Sequence, residues 1–438
     1  MNLYWKKLFG KLKSTARFER EMRQLMEKFV RYERVASSKE LEEYQELYEI
    51  VKSAEFKEKK KLLLYRKYKD TEEYRVSKKF KKLSENKSLM FYLEHKDDKD
   101  LIEFLEFKKT PEYELLGNRK EVKKSEELKH FKAIEKSKVY KNYVRFHESF
   151  ILDEYVKLQQ QVSTPEFQKN NEFWANKCRW ETTEDYQTEQ RFFRVADNPD
   201  IIFYNEIEPS IFDEIRNLEL TFIDDFDGTT LNSKKWESGF RYKADSLKKE
   251  FHSFDNEKQA NNEGANTTID EALQISTIKE TKNAPAWNAK RGFIDKTFHF
   301  TSDVVHAKTF AQKGGVFSAK IRCTGKLHHA FWLSGENKNN HINVFHFNGK
   351  RIVVGNATAG QIEEEQIKGI CRKQYYVYSL EWTEKELIWY VNNLEVFRTE
   401  NNIPQEELFM TFNSFILEKE KGRTGRFSID WVKIYKRK

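Results

Sequence analysis

Residues 375–393 read YYVYSLEWTEKELIWYVNN. Two runs in it, YYVYSLEW and ELIWYVNN, alternate β-branched or aromatic residues with smaller or polar ones. That period of two belongs to a strand with one face in a core. The same grammar extends both ways, in GGVFSAKIRC, RIVVGNA, EVFRTE and FSIDWVKIYK, and turn signals fall between the runs: NNEGAN, NGK, VNNLEV and EKGRTG. Many strands at short spacing, with no helical pattern between them, predict an antiparallel sandwich over 218–438. One strand stands out. HINVFHFNG, His341 to Gly349, spends two of the chain's 10 histidines on a single run. Strict alternation puts His341, Asn343 and Phe345 on one face, and Ile342 and Val344 on the other.

Residues 1–215 follow a different rule. Glycine is confined to Gly10 and Gly117, and Leu, Phe and Tyr recur at three- and four-residue spacing among Lys and Glu, as in LEEYQELYEIV. Helix starts recur at Ser37, Ser53, Thr71, Thr110, Ser125, Thr164 and Thr183. Each places a hydroxyl at an N-cap, with acids in the first turn. Pro111 and Pro165 suit the first helical position. The reading is a tandem array of short helices, an imperfect solenoid or decorated bundle, with FYNEIEPSIFDEIRN as the joint. The caps interrupt any heptad, so a long coiled coil is disfavoured.

The totals bound the function. The 438 residues suffice for two or three domains, and the aromatic fraction of 15% supplies core material. Net charge is +8, concentrated at one end: residues 1–90 hold 25 Lys/Arg against 15 Asp/Glu. Such an end can touch nucleic acid, an anionic membrane or an acidic partner. The interleaved Glu and the lack of helix-turn-helix, zinc-finger or RNP-like signatures make nucleic acid a neighbour rather than a specific target. LYWKKLFGKL can form a small basic amphipathic helix, read here first as a docking helix. Cys178, Cys323 and Cys371 are widely spaced and give neither a disulfide framework nor a zinc site. No apolar run is long enough for a signal-peptide core or a membrane span, so cytosolic synthesis is expected.

Five blocks make the second half resemble family-16 glycoside hydrolases, the laminarinases, lichenases and agarases. They are FIDDFDGTTLNSKKW from Phe222, KGGVFSAKIRCTG from Lys313, HHAFWLSG from His328, the opening stretch from Tyr375, and GRFSIDWVKIYKRK from Gly425. Their order is the family's. The resemblance implies a concanavalin A-like jelly roll. It also implies a catalytic strand reading E-x-D-x-x-E after the AFWL block. Onto that motif fall His341 at the nucleophile position, Asn343 at the central Asp, and His346 at the acid/base. A retaining glycosidase needs two carboxylates there. Imidazole does not readily form the glycosyl ester, so a pseudoenzyme is expected. Glu336, Glu381 and Asp430 are nearby acids, the last two at positions the resemblance implies to be structural.

An emptied cleft can still bind sugar through rings, amides and imidazoles. The carbohydrate-binding candidates are Trp287, Trp332, His341, Asn343, Phe345 and His346, while Trp382 and Trp431 are read as core. A metal site would need His341 and His346 on one face through a bulge, joined by His328 or His329 but not both. Without a Cys or clear carboxylate to complete the set, neither metal nor cofactor is expected. The resulting expectation is a non-catalytic structural or attachment protein, with a helical half (1–215) that docks a macromolecular protein partner. A virion component made in the cytosol would fit. The alternatives are a lectin-like polysaccharide binder and a divergent glycoside hydrolase.

Overall fold

A computed structural model of the chain describes residues 1–241, 252–335, 340–358 and 360–438. It is an α-plus-β protein: short helices to Arg216, then mainly antiparallel strands from Leu218 to Arg437. The compact units, however, do not divide where the composition changes near 215–218. One unit takes residues 1–33 together with 207–438, and the other takes 34–206.

The helical unit runs out and back. Helix Lys39–Lys52 pairs with Glu184–Ala196, Glu72–Ser84 with Phe150–Ser163, Lys87–His95 with Lys138–Phe146, and Lys99–Phe107 with Glu126–Lys136. The rungs close separate aromatic clusters: Phe56, Trp180 and Phe192 in one, Tyr92, Phe146 and Tyr155 in the next, which the two middle pairs share, and Phe104 and Phe131 in a third. The hydroxyls of Ser53, Thr71, Ser125, Thr164 and Thr183 accept from the backbone N–H three residues on, as their spacing predicts. Two starts differ. The cap of the helix Lys39–Lys52 is Ser38, not Ser37, and Thr110 opens a 3-10 segment without a side-chain cap bond.

The β unit is a two-sheet sandwich. One sheet runs, in spatial order, Leu394–Thr399, Leu387–Val391, Tyr376–Trp382, Gly315–Thr324, Gly425–Arg437, Leu273–Thr277 and Thr267–Ile269, with Leu218–Asp224 also paired to Gly425–Arg437. The other runs Gln361–Ile367, Ile352–Thr358, Asn340–Asn348, His328–Ser334, Leu408–Phe415, Val304–Gln312 and Trp236–Ser238. The 375–393 stretch supplies two adjacent strands of the first sheet. The tight turn at its end is made by Asn392 and Asn393, both at positive φ (46° and 64°), which matches the right-handed twist of a two-residue hairpin. Gly315 opens its strand at φ 104°, where a Cβ would lie 2.1 Å from the Tyr435 carbonyl oxygen. Between the sheets lies one continuous core that includes Trp236, Phe317, Phe331, Trp382, Trp389, Phe412 and Phe427. Trp382 is therefore core, as expected. Trp431 is not: it is half-buried, and its Nε1–H donates to Glu19 at 3.1 Å.

That contact shows why residues 1–33 count with the sandwich. Leu3 and Leu12 are buried in the same core. The Leu3 N–H donates to the Lys368 carbonyl at 2.8 Å, Asn392 donates to the Lys13 carbonyl at 3.0 Å, and Thr15 donates to the Tyr375 carbonyl at 2.6 Å. Glu19 and Asp430 both pair with Lys320 at 3.0 Å. Lysines and arginines dominate this segment's composition and hide the two leucines that place it.

Candidate functional site

The strand Asn340–Asn348 lies between His328–Ser334 and Ile352–Thr358. Its register against His328–Ser334 pairs Trp332 with Asn343 and Phe331 with Phe345, so Val344 has no residue opposite it. This bulge breaks the period of two. His341, Asn343 and His346 turn to the outer face, while Val344 and Phe345 both turn into the core. The sequence-based placement of Phe345 beside the histidines is therefore wrong. Phe345 is 1% exposed, and its ring packs on Tyr378 and Phe427. The indole of Trp389, from the opposite sheet, donates to the Asn343 carbonyl at 2.9 Å and so satisfies a backbone group next to the bulge.

Above the outer face is a cavity of about 270 Å³. Its floor is Trp332, whose ring stacks on His341 at 4.9 Å and whose Nε1–H donates to Asn413 at 3.0 Å. Phe240, Phe254 and Phe415 form apolar walls, and Ser334, Asn340 and Asn413 add neutral polar groups. Trp332, His341, Asn343 and His346 are thus brought together as the sequence suggested. Trp287 is not among the lining residues. It sits on a neighbouring three-stranded sheet, in register with Phe254, and its ring meets Phe293 edge-on at 5.1 Å. Glu336 lies outside the described residues. Glu381 accepts from the Tyr390 hydroxyl and pairs with Arg437, and Asp430 pairs with Lys320; neither lines the cavity.

The histidines form an ordered set. His341 Nε2 meets Asn343 Oδ1 at 2.8 Å; an amide oxygen only accepts, so Nε2 carries the proton. His328 Nε2 lies 3.2 Å from the Glu420 carboxylate, and His328 Nδ1 lies 2.9 Å from His346 Nε2. Glu420, when ionised, can only accept. That assigns the proton of His328 to Nε2 and the shared proton to His346 Nε2, and leaves His346 Nδ1 as a lone pair. Burial lowers the pKa of His341 and His328. It lowers that of His346 to about 3, with His328 adding to the effect. His329 points the other way, as strand alternation requires. Its ring bonds Ser414 and the Thr324 carbonyl in the interior, and burial lowers its pKa to about 3. Among the described residues no group of three His, Cys, Asp or Glu side chains could hold a metal ion.

Among the cavity residues that sequence reasoning missed, one is a carboxylate. Glu257 lies in DNEKQ, 84 residues before His341, and lines the same space. Its Oε2 accepts from the Phe254 N–H at 3.1 Å and from Gln259 Nε2 at 3.0 Å. Burial raises its carboxyl pKa to about 7, against those two hydrogen bonds. The signal available in sequence was weak: an acid in a turn-rich stretch, outside every quoted block.

Residues 254–433 match the family model of Glycosyl hydrolases family 16. The C-terminal part of the chain is thus family-16-like, with its jelly-roll sandwich. Among solved structures, the laminarinase catalytic domain from Thermotoga petrophila is 16% identical, over 50% of this chain and 98% of that one, with a TM-score of 0.40. The endo-beta-1,3-glucanase from Pyrococcus furiosus is 16% identical, over 50% and 95%, at 0.40. The laminarinase from Flavobacterium sp. is 16% identical, over 50% and 100%, at 0.38. Nothing among curated proteins matches the chain.

Proposed function

We propose that the β unit binds a glycan in this cavity without hydrolysing it, and that the chain is a non-catalytic attachment protein whose helical unit docks a macromolecular partner. The observation that carries the reading is the cavity face itself. His341, Asn343 and His346 stand where the resemblance calls for carboxylates, over an indole floor. Two imidazoles held neutral and an amide can exchange hydrogen bonds with sugar hydroxyls, but they offer no carboxylate nucleophile for a retaining mechanism. The pocket is near the small end of ligand sites, suited to one or two sugar rings rather than a long chain.

A glycan array with the full-length protein tests the proposal, alongside reducing-sugar release from β-1,3- and β-1,4-glucans, galactans and agarose. Binding without release is expected, with affinity reduced roughly tenfold or more in His341→Ala, a loss of about 1.4 kcal/mol. No binding to any glycan on the array would sink it.

Glu257 favours a second reading, divergent hydrolysis. A carboxyl with a pKa near 7 can act as an acid. In such a step Glu257 protonates the departing glycosidic oxygen as a water oxygen attacks the anomeric carbon and releases its proton to solvent. Sugar release that disappears in Glu257→Gln would replace the binding reading with this one.

A further inference from the structure

We propose that the surface formed by Tyr4, Trp5, Leu8 and Phe9, fringed by Lys6 and Lys11, docks on an anionic lipid surface. The argument is independent of the glycan reading. These four side chains are 56%, 57%, 63% and 72% exposed. They are not loose ends of an unpacked segment. Leu3 on one side and Leu12 on the other are buried in the sandwich core, at 0% and 4%. Between them the helix Tyr4–Leu8 is closed by the Phe9 N–H donating to Trp5 at 2.9 Å. Gly10 turns at φ 72°, and the Leu12 N–H donates to the Lys6 carbonyl at 2.9 Å. The fold buries two leucines and holds three rings and a third leucine in water. Trp5 stacks on Phe9 at 6.1 Å and meets Tyr4 edge-on at 5.5 Å, so the apolar groups form one patch.

The charge around the patch selects the partner. Residues 1–18 contain Lys6, Lys7, Lys11, Lys13 and Arg17 and no acid. The acids that approach are engaged elsewhere: Glu21 with Lys13 and Arg17, Glu395 with Arg398, and Glu365 with the Met1 amine. Lys7 meets the Tyr376 hydroxyl at 3.4 Å. Lys6 and Lys11 make no ion pair among the described residues, which leaves cationic charge at the rim of an aromatic tip. Aromatic and aliphatic side chains beside lysines are what a bilayer interface takes up. The rings settle at headgroup depth, and the ammonium groups meet anionic lipid. No helix among the described residues is long and apolar enough to cross a membrane.

Co-sedimentation of the full-length protein with phosphatidylcholine vesicles, with and without phosphatidylserine, tests the proposal. Binding is expected to vesicles containing phosphatidylserine and to weaken as salt rises. Trp5→Ser with Phe9→Ser should lower the bound fraction by roughly tenfold or more. Lys6→Glu with Lys11→Glu should remove the preference for phosphatidylserine. Trp5, Phe9 and Lys11 are exposed and Lys6 is half-buried, and an unchanged unfolding midpoint checks that the variants remain folded. Failure of the wild type to sediment with phosphatidylserine vesicles, or equal binding by the Trp5/Phe9 variant, overturns it. So does sedimentation velocity showing self-association through the patch with no vesicle binding, which would assign the surface to a second copy of this chain.

Discussion

The two units solve the same problem, burying aromatic rings in a polar chain, in opposite ways. In the sandwich, Trp236, Phe331, Phe412 and Phe427 belong to one core that reaches every strand of both main sheets or their neighbours. In the helical unit, rings equally buried, such as Phe104 and Phe146 at 0% exposure, belong to separate clusters of a few residues per rung. Stability in the first is shared by the whole unit, whereas in the second it is local and summed over neighbours. The difference explains how a chain with 38% hydrophobic residues supports both.

The largest expected effect breaks the comparison if it fails. Phe412→Ala should cost about 3–5 kcal/mol and lower protection from hydrogen exchange throughout the sandwich. Phe146→Ala removes a ring of the same size, but its loss of protection should be confined to the helices 72–84, 87–95, 138–146 and 150–163, which share its cluster. Uniform loss across 34–206 would mean that the rungs form one cooperative block.

Acid sharpens the contrast next. His329 and His346 have folded pKa values near 3, below the ordinary histidine value of 6.5. Between those limits the unfolded chain binds more protons than the folded one, so their contribution to sandwich stability is present above about pH 6.5 and is lost as pH falls toward 3. Glu257 acts in the opposite sense: its raised pKa of about 7 means that it loses stability as pH rises from about 4.5 to 7. With two strongly shifted histidines against one carboxyl, the sandwich's urea midpoint should fall on acidification from pH 6.5 to 4. His346→Asn should flatten that slope. A midpoint that rises instead would show Glu257 to dominate.

The smallest effect concerns a single cap. Ser125 Oγ accepts from the Leu128 N–H at 3.2 Å, and Ser125→Ala should cost about 1 kcal/mol. Exchange should accelerate in Glu126–Lys136 and leave the sandwich unchanged.

Much of this was legible in the residues. The hydroxyl before an acidic turn located the helix starts at Ser53, Thr71, Ser125, Thr164 and Thr183, because capping is a local interaction. The alternating runs located the strands, and the block order located the cavity strand with His341, Asn343 and His346 on it. What failed depended on tertiary structure. A bulge at Val344 sends Phe345 inward, and no two-residue period can announce an inserted residue. Ser38 rather than Ser37 caps its helix because adjacent hydroxyls offer the same chemistry. Leu3 and Leu12 find a core that forms more than two hundred residues later. Glu257 becomes distinctive only when the fold buries it beside the histidines, and a carboxyl's environment is not written in its neighbours along the chain.

The division of the sandwich between residues 1–33 and 207–438 has a consequence in time. A ribosome releases the segment holding Leu3 and Leu12 long before the strand Gly425–Arg437, which is central to the sheet. At about 5–20 residues per second, roughly 20–80 s separate the two. The helical unit is complete well before then and can fold while translation continues. Through that interval the leading leucines wait without their sandwich, so the nascent chain carries an apolar signal that the finished protein hides, one a chaperone could read and the mature fold erases.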